Sequence, residues 1–121
     1  MARSHELGRA GELAAAKLLR EAGWTILERN VRFGRKEIDL VVRRDGVVAF
    51  VEVKTRAGRA CGHPLESITA RKRREIERVA RWWVARYGSA GEQYRFDAIA
   101  VDWGGDGAPR LEHVVDAWRL G

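Results

Sequence analysis

Glu37-Ile38-Asp39-Leu40-Val41-Val42-Arg43-Arg44-Asp45-Gly46-Val47-Val48-Ala49-Phe50-Val51-Glu52-Val53-Lys54-Thr55-Arg56 is the stretch whose reading decides the fold. Two apolar, β-branched runs flank Arg43-Arg44-Asp45-Gly46, and Asp-Gly between such runs is the strongest short-range hairpin signal. Side chains alternate along a strand. Glu37, Asp39 and Val41 are therefore expected on one face of the first strand, and Glu52, Lys54 and Arg56 on one face of the second. With Asp45-Gly46 as a two-residue loop, Arg44 faces Val47, and the same register sets Asp39 against Glu52 and Glu37 against Lys54.

Facing residues have Cβ atoms about 4.5–5.5 Å apart. Two carboxylates that close repel each other, and apolar strands give them little water, so something must compensate. A hard divalent cation does so: Mg²⁺ prefers oxygen ligands and is often held by one or two carboxylates plus substrate phosphates. Lys54 brings an ammonium to the same place. The plainer alternative is a mixed-charge patch on a solvated sheet face. Against it, Val47 to Val53 carries the single charge of Glu52, which reads as a central strand rather than an edge.

Asp39, with Glu52-Val53-Lys54 on the next strand, is similar to the catalytic core of the PD-(D/E)xK nuclease superfamily, which includes Holliday junction resolvase-like nucleases. The longer wording resembles the bacterial YraN family, a group of uncharacterised predicted nucleases. Gly8-Arg9-Ala10-Gly11-Glu12, Glu37-Ile38-Asp39-Leu40 and Phe50-Val51-Glu52-Val53-Lys54-Thr55-Arg56 carry that resemblance, which runs on through Phe96-Asp97 to the His113–Trp118 segment. It implies one restriction-endonuclease-like α/β domain over residues 1–121, cutting phosphodiester bonds of nucleic acid, DNA foremost, with Mg²⁺ or Mn²⁺. Asp39, Glu52 and Lys54 take the catalytic positions of the motif. Glu12 matches a first-helix glutamate that joins Asp39 and Glu52 at the metal in related nucleases; without the resemblance it reads as a solvated helix glutamate. Ile38 stands where the superfamily motif has Pro, and Lys36 where the family commonly shows Gly. Neither departure touches the expected ligands.

At 121 residues the chain is long enough for one core and not for two. Hydrophobic residues make up 45% and charged residues 33%, as in globular proteins. No apolar run approaches the roughly 20 residues of a membrane span, and the first residues have no signal-peptide character. A single cysteine, Cys61, excludes an intrachain disulfide, and a cytoplasmic location is the expectation. The net charge of +6 points to a polyanionic partner rather than a membrane. Arg, Ala and Gly are all abundant, as a GC-rich genome would produce, which makes Lys54, one of four lysines, more informative than any one arginine.

The pattern predicts a helix from about Ser4, its N-cap, to a stop at Gly23. Its expected buried stripe is Leu7, Ala10, Ala14, Lys17 and Leu18, with Glu12 at a boundary beside Ala15, Ala16 and Leu19. Trp24 to Arg32 reads as a strand, and Phe33-Gly34-Arg35-Lys36 as a turn. Ala57 to Pro64 reads as a loop beside the site. Cys61 and His63 in it are ordinary loop residues, since a zinc site needs three or four suitably spaced ligands.

Ser67 or Thr69 is expected to cap a second helix reaching Tyr87-Gly88. Ile76, Val79, Ala80, Trp83, Val84 and Tyr87 form its core stripe at 3.6 residues per turn. Arg71, Arg74, Arg78 and Arg81 share another face, with Trp82 near them. Such a face can hold phosphates while an aromatic stacks on a base, although charged helix faces are usually only solvated and Trp82 can equally cover a loop or a dimer interface. Lys72 is offset toward the sheet, and Arg56 shares the face of Glu52 and can hold an adjacent phosphate. Gln93 to Trp103 and Leu111 to Trp118 read as two more strands, the last an edge, with Asp97 structural. The order helix, three strands, helix, two strands (α-β-β-β-α-β-β) defines an α/β fold with a mixed central sheet.

The leading expectation is a Mg²⁺- or Mn²⁺-dependent endonuclease. Asp39, Glu52, Glu12 and the Val53 carbonyl are its metal ligands, and Arg56, Arg71, Lys72, Arg74, Arg78 and Trp82 its nucleic-acid contacts. A homodimer is compatible with branched or two-fold-symmetric substrates. The alternatives are a binding module that does not cleave and an adaptor that docks a protein through Trp82 and Arg78.

Overall fold

The computed structural model describes residues 2–57, 66, 68–104 and 107–118. Its elements run α1 (Ala2–Glu21), β1 (Thr25–Phe33), β2 (Lys36–Arg44), β3 (Val47–Arg56), α2 (Ala70–Tyr87), β4 (Gln93–Asp102) and β5 (Arg110–Trp118). The five strands form one mixed sheet in the order β1-β2-β3-β4-β5. Neighbours pair antiparallel except β3 and β4, which are parallel. A parallel pair needs a crossover, and α2 lies on it. No helix among the described residues is long and apolar enough to cross a membrane.

The central hairpin has the register its turn dictates. Asp45 and Gly46 both have positive φ, 50° and 77°, which matches the right-handed twist of the flanking strands. Pairing runs from Arg44–Val47 to Leu40–Val51 and stops there. Beyond that point β2 stays with β1 as far as Lys36, while β3 stays with β4 as far as Arg56. The two strands therefore part as a fork.

Each sheet face has its own core. Ile38, Val41, Val48, Phe50, Phe96 and Ala98 pack with Ile76, Val79, Ala80 and Trp83 of α2. Leu40, Val42, Ala49, Val51, Ile99 and Val101 pack with Ala15, Ala16 and Leu19 of α1. The buried face of α1 is thus not the predicted Leu7-Ala10-Ala14-Lys17-Leu18 stripe: Lys17 is exposed, and Ala15, Ala16 and Leu19 are fully buried. The reason is the depth of the contact. Alanines let the helix axis come close to the sheet, and at Gly11 a Cβ would fall 2.1 Å from Thr55 Oγ1.

Helix boundaries follow local chemistry. α1 begins at Ala2, so Ser4 lies inside it rather than capping it. Its end is a Schellman motif: Trp24 N–H donates to Leu19 O, Gly23 N–H donates to Arg20 O, and Gly23 has φ 91°. Thr69 caps α2 by accepting from the Lys72 amide at 3.1 Å. Ser67 and the 58–65 loop, with Cys61 and His63, lie outside the described residues.

Candidate active site

Along β2 strict alternation fails at one place, and that place is the site. Ile38 and Val41, three positions apart, both pack in the α2 layer, whereas Leu40 and Val42 pack under α1. The neighbouring strand does the same. Glu28 accepts from Trp83 Nε1 of α2 at 3.1 Å, Val31 packs in the α2 layer, and between them Asn30 has φ 52°. Asn30 falls between the pairs Arg29–Leu40 and Val31–Ile38, opposite Asp39. Alternation therefore resets at Asn30 and Asp39 together. Glu37, Asp39 and Val41 do not share a face, as a regular strand would require.

Released from the alternation, the Asp39 carboxylate points along the sheet toward β3. Its Oδ2 accepts from the Val53 amide at 2.7 Å, just past the last backbone pair. Glu52, 5% exposed, lies beside it. Burial, the charge of Glu52 and a hydrogen bond shared with Glu52 push the Asp39 pKa up to about 8, against the opposing pull of the Val53 amide. The expected Asp39–Glu52 approach is present, carried by side chains rather than by a backbone pair.

Two ammonium groups answer that charge. Lys72 Nζ of α2 is 3.4 Å from Glu52 Oε2, and Lys54 Nζ is 3.8 Å from the same oxygen. Lys72 thus reaches the sheet, as its offset on α2 suggested. The expected Glu37–Lys54 pair is absent because the reset turns Glu37 away: it takes Arg32 Nε at 3.0 Å instead. Glu12 approaches from α1. Its carboxyl is held above the ordinary range by burial, then by the charges of Glu37 and Glu52, with Arg29 and Asn30 pulling the other way. With its amide turned so that the nitrogen faces both carboxylates, Asn30 bridges Glu12 and Glu37, donating 3.2 Å to Glu12 Oε1 and 3.1 Å to Glu37 Oε2.

Arg35, Lys36, Glu37, Asp39, Glu52, Lys72, Glu75 and Ile76 line an open cleft of about 300 Å³. Lys36 Nζ holds Glu75 at 2.9 Å and fixes the β1–β2 turn to α2 across it. On the α1 side, Leu7, Glu12, Lys54, Thr55 and Arg56 line a second recess. Arg56 Nη2 lies 3.5 Å from Asp102 Oδ2 at the end of β3, away from Asp39. Arg71, Arg74 and Arg78 are exposed on α2. Trp82 is half-buried and stacks on Phe33 at 5.4 Å, so it covers the β1–β2 turn instead of standing free among the arginines.

Carboxylate oxygens are the donors that Mg²⁺ and Mn²⁺ prefer, and Asp39 and Glu52 are adjacent, Glu52 buried and Asp39 half-buried. Those residues fit a hard divalent cation. Among the described residues no three His, Cys, Asp or Glu side chains lie together as a set that could hold a metal ion. Glu12 stands as the third, more distant carboxylate. Sequence reasoning missed Asn30; its one signal was a poor strand former set among strand formers.

Residues 11–101 match the family model described as uncharacterised protein family UPF0102. The chain belongs to UPF0102. This is the YraN family of the sequence resemblance. A UPF0102 protein of Symbiobacterium thermophilum is 46% identical over 116 residues, covering 96% of this chain and 98% of that one. Another from Chlorobium phaeobacteroides is 41% identical over 94% of both chains, and one from Clavibacter michiganensis is 41% identical over 97% and 99%. The UPF0102 model spans α1 from Gly11, the β2–β3 fork and the Lys72 turn of α2, so all the groups that meet at Glu52 fall within the family region.

Proposed function

We propose that this UPF0102 chain is a metal-dependent endonuclease that hydrolyses phosphodiester bonds of nucleic acid, DNA foremost. The observation that carries the reading is the Asp39–Glu52 pair at the β2–β3 fork, Glu52 buried and Asp39 half-buried, met by Lys54 and Lys72. Asp39 and Glu52, with Glu12 and the Val53 carbonyl nearby, are the groups that would hold Mg²⁺ or Mn²⁺. When bound, such an ion lowers the pKa of a coordinated water and neutralises charge on a phosphoryl oxygen.

The chain's own groups set the rest. Asp39, whose pKa is raised, must lose its proton before both carboxylates can act as ligands. Lys54 and Lys72, 3.8 and 3.4 Å from Glu52, would turn toward an arriving phosphate oxygen, and Lys54 would orient the attacking water. Arg71, Arg74 and Arg78 add a cationic flank that holds neighbouring phosphates.

The test is a cleavage screen on labelled duplex, single-stranded, flap and four-way-junction substrates, in Mg²⁺, Mn²⁺ or EDTA. Metal-dependent products that disappear in Glu52→Gln are expected. Equal cutting by wild type and Glu52→Gln refutes the assignment. One observation favours a second reading: two lysines already neutralise Glu52, which suits a nucleic-acid-binding module that does not cleave. Tight, salt-sensitive binding without products in any metal would decide for it.

A further inference from the structure

Four large apolar side chains are exposed among the described residues, and two of them, Phe33 (45%) and Tyr87 (47%), flank Trp82. Phe33 stacks on Trp82 at 5.4 Å and 24°, and Tyr87 meets Trp82 edge-on at 6.2 Å. The three rings form a continuous row whose two ends, Phe33 and Tyr87, are exposed and whose middle, Trp82, is half-buried. Arginines accompany it. Helical spacing sets the exposed Arg78 and Arg86 one turn before and one turn after Trp82 on the same stripe, and the Arg86 guanidinium lies 5.8 Å from the Tyr87 ring centroid.

The row leads to the cleft. Phe33 pairs with Lys36 across the β1–β2 turn, and Lys36 grips Glu75 at the cleft wall. Glu75 to Trp82 is about 10 Å along α2 at 1.5 Å per residue, about three stacked nucleotide steps. Exposed rings with interleaved guanidiniums suit a single strand, because every base offers a π-face and every step a phosphate. A duplex hides its base faces and gains only the phosphate contacts.

We infer that Phe33, Trp82 and Tyr87 form a stacking ledge for unpaired bases, so that the site takes single-stranded or branched nucleic acid with an unpaired arm. The inference rests on the proposal that this chain acts on nucleic acid, but not on cleavage. The experiment is fluorescence anisotropy in EDTA with three labelled probes of equal length: an oligothymidylate, an abasic phosphodeoxyribose chain and a blunt duplex. Wild type should bind oligothymidylate about ten-fold more tightly than the abasic chain, and Phe33→Ala and Tyr87→Ala should each erase most of that difference. Arg78→Ala should weaken both single strands alike.

Equal affinity for oligothymidylate and abasic chains overturns the ledge, whatever the cleavage screen finds. A base-dependent preference without any cleavage upholds the ledge and removes the nuclease. Sedimentation on the same variants covers the remaining outcome. A dimer that Phe33→Ala converts to monomer, with oligothymidylate binding unchanged, assigns the row to a second copy of the chain and overturns the inference.

Discussion

Asp39 Oδ2 accepts the Val53 amide proton at 2.7 Å, at the point where backbone pairing between β2 and β3 has ended. A side-chain oxygen thus replaces the carbonyl that would have continued the ladder. The bond holds Asp39 against Glu52, so one contact both ends the hairpin and brings two carboxylates together.

That contact makes cation affinity dependent on pH. Asp39 holds its proton up to about pH 8 in the folded chain, against an ordinary Asp pKa of about 3.9. A cation must displace this proton, so Mn²⁺ or Mg²⁺ affinity should rise with pH by up to about ten-fold per unit and level off above about 8. Folding stability without metal should run the other way. Between those two pKa values the folded chain binds more protons than the unfolded one, so stability falls as pH rises. Asp39→Asn keeps an acceptor for Val53 and cannot ionise; its melting temperature should fall with pH less than that of wild type, with Glu12 supplying the remaining slope, and its metal-induced shift should vanish. Thermal melts from pH 5 to 9, with and without Mn²⁺, check all of this.

Gly11→Ala should cost about 1–3 kcal/mol by overpacking, because its new Cβ meets Thr55 Oγ1 at 2.1 Å. A Thr55→Ala partner removes that oxygen and should restore much of the loss. Urea titration of the two single variants and the double variant measures the coupling. If Gly11→Ala is neutral, α1 does not approach β3 as closely as described.

Turned with its nitrogen toward them, Asn30 bridges Glu12 and Glu37 with one amide. Asn30→Asp substitutes a third negative group for that donor. Its stability deficit should be larger at pH 8 than at pH 5, where carboxyls beside each other take up protons. Asn30→Gly, which accepts the positive φ without strain, should show a smaller deficit with little pH dependence. Melting curves at the two pH values separate the cases.

Asp97 is fully buried on β4 and is held by Arg95 at 3.0 and 3.1 Å, His113 at 2.8 Å and the Asp116 amide at 3.0 Å. Burial alone would raise its pKa; His113, Arg95 and the amide outweigh it and pull the value below the ordinary range. The stability this gives is present above the unfolded pKa and lost as pH falls through the folded value. His113→Ala should cost about 1–3 kcal/mol, read by urea titration at pH 7, and should move the onset of acid unfolding to higher pH.

The hairpin was legible because Asp45-Gly46 admits few geometries, and its register then followed to the last pair at Leu40 and Val51. The α2 face was legible from Ile76 to Trp83 because its long apolar side chains recur at helical spacing, but Tyr87, expected on the same stripe, is exposed at the helix end. The α1 face was not: alanines on every side gave no contrast, and close approach at Gly11 decided the matter. Alternation predicted the Asp39–Glu52 approach but misplaced Glu37, because a reset shared by two strands leaves no mark in either strand's own pattern. For Trp82 the sequence leaves open both stacking on a base and covering a loop, because Phe33, which packs on it, belongs to a distant segment.

The fork between β2 and β3 has one more consequence. A sheet normally separates its two faces as a wall does, and helices on opposite sides address different chemistry. Here the wall has an aperture. Glu12 comes to its rim from the α1 side and Lys72 from the α2 side, and both act on Glu52. An ion or phosphate seated there would be gripped from both layers at once. Loosening either helix from the sheet would then be felt at the site, even by substitutions far from any carboxylate.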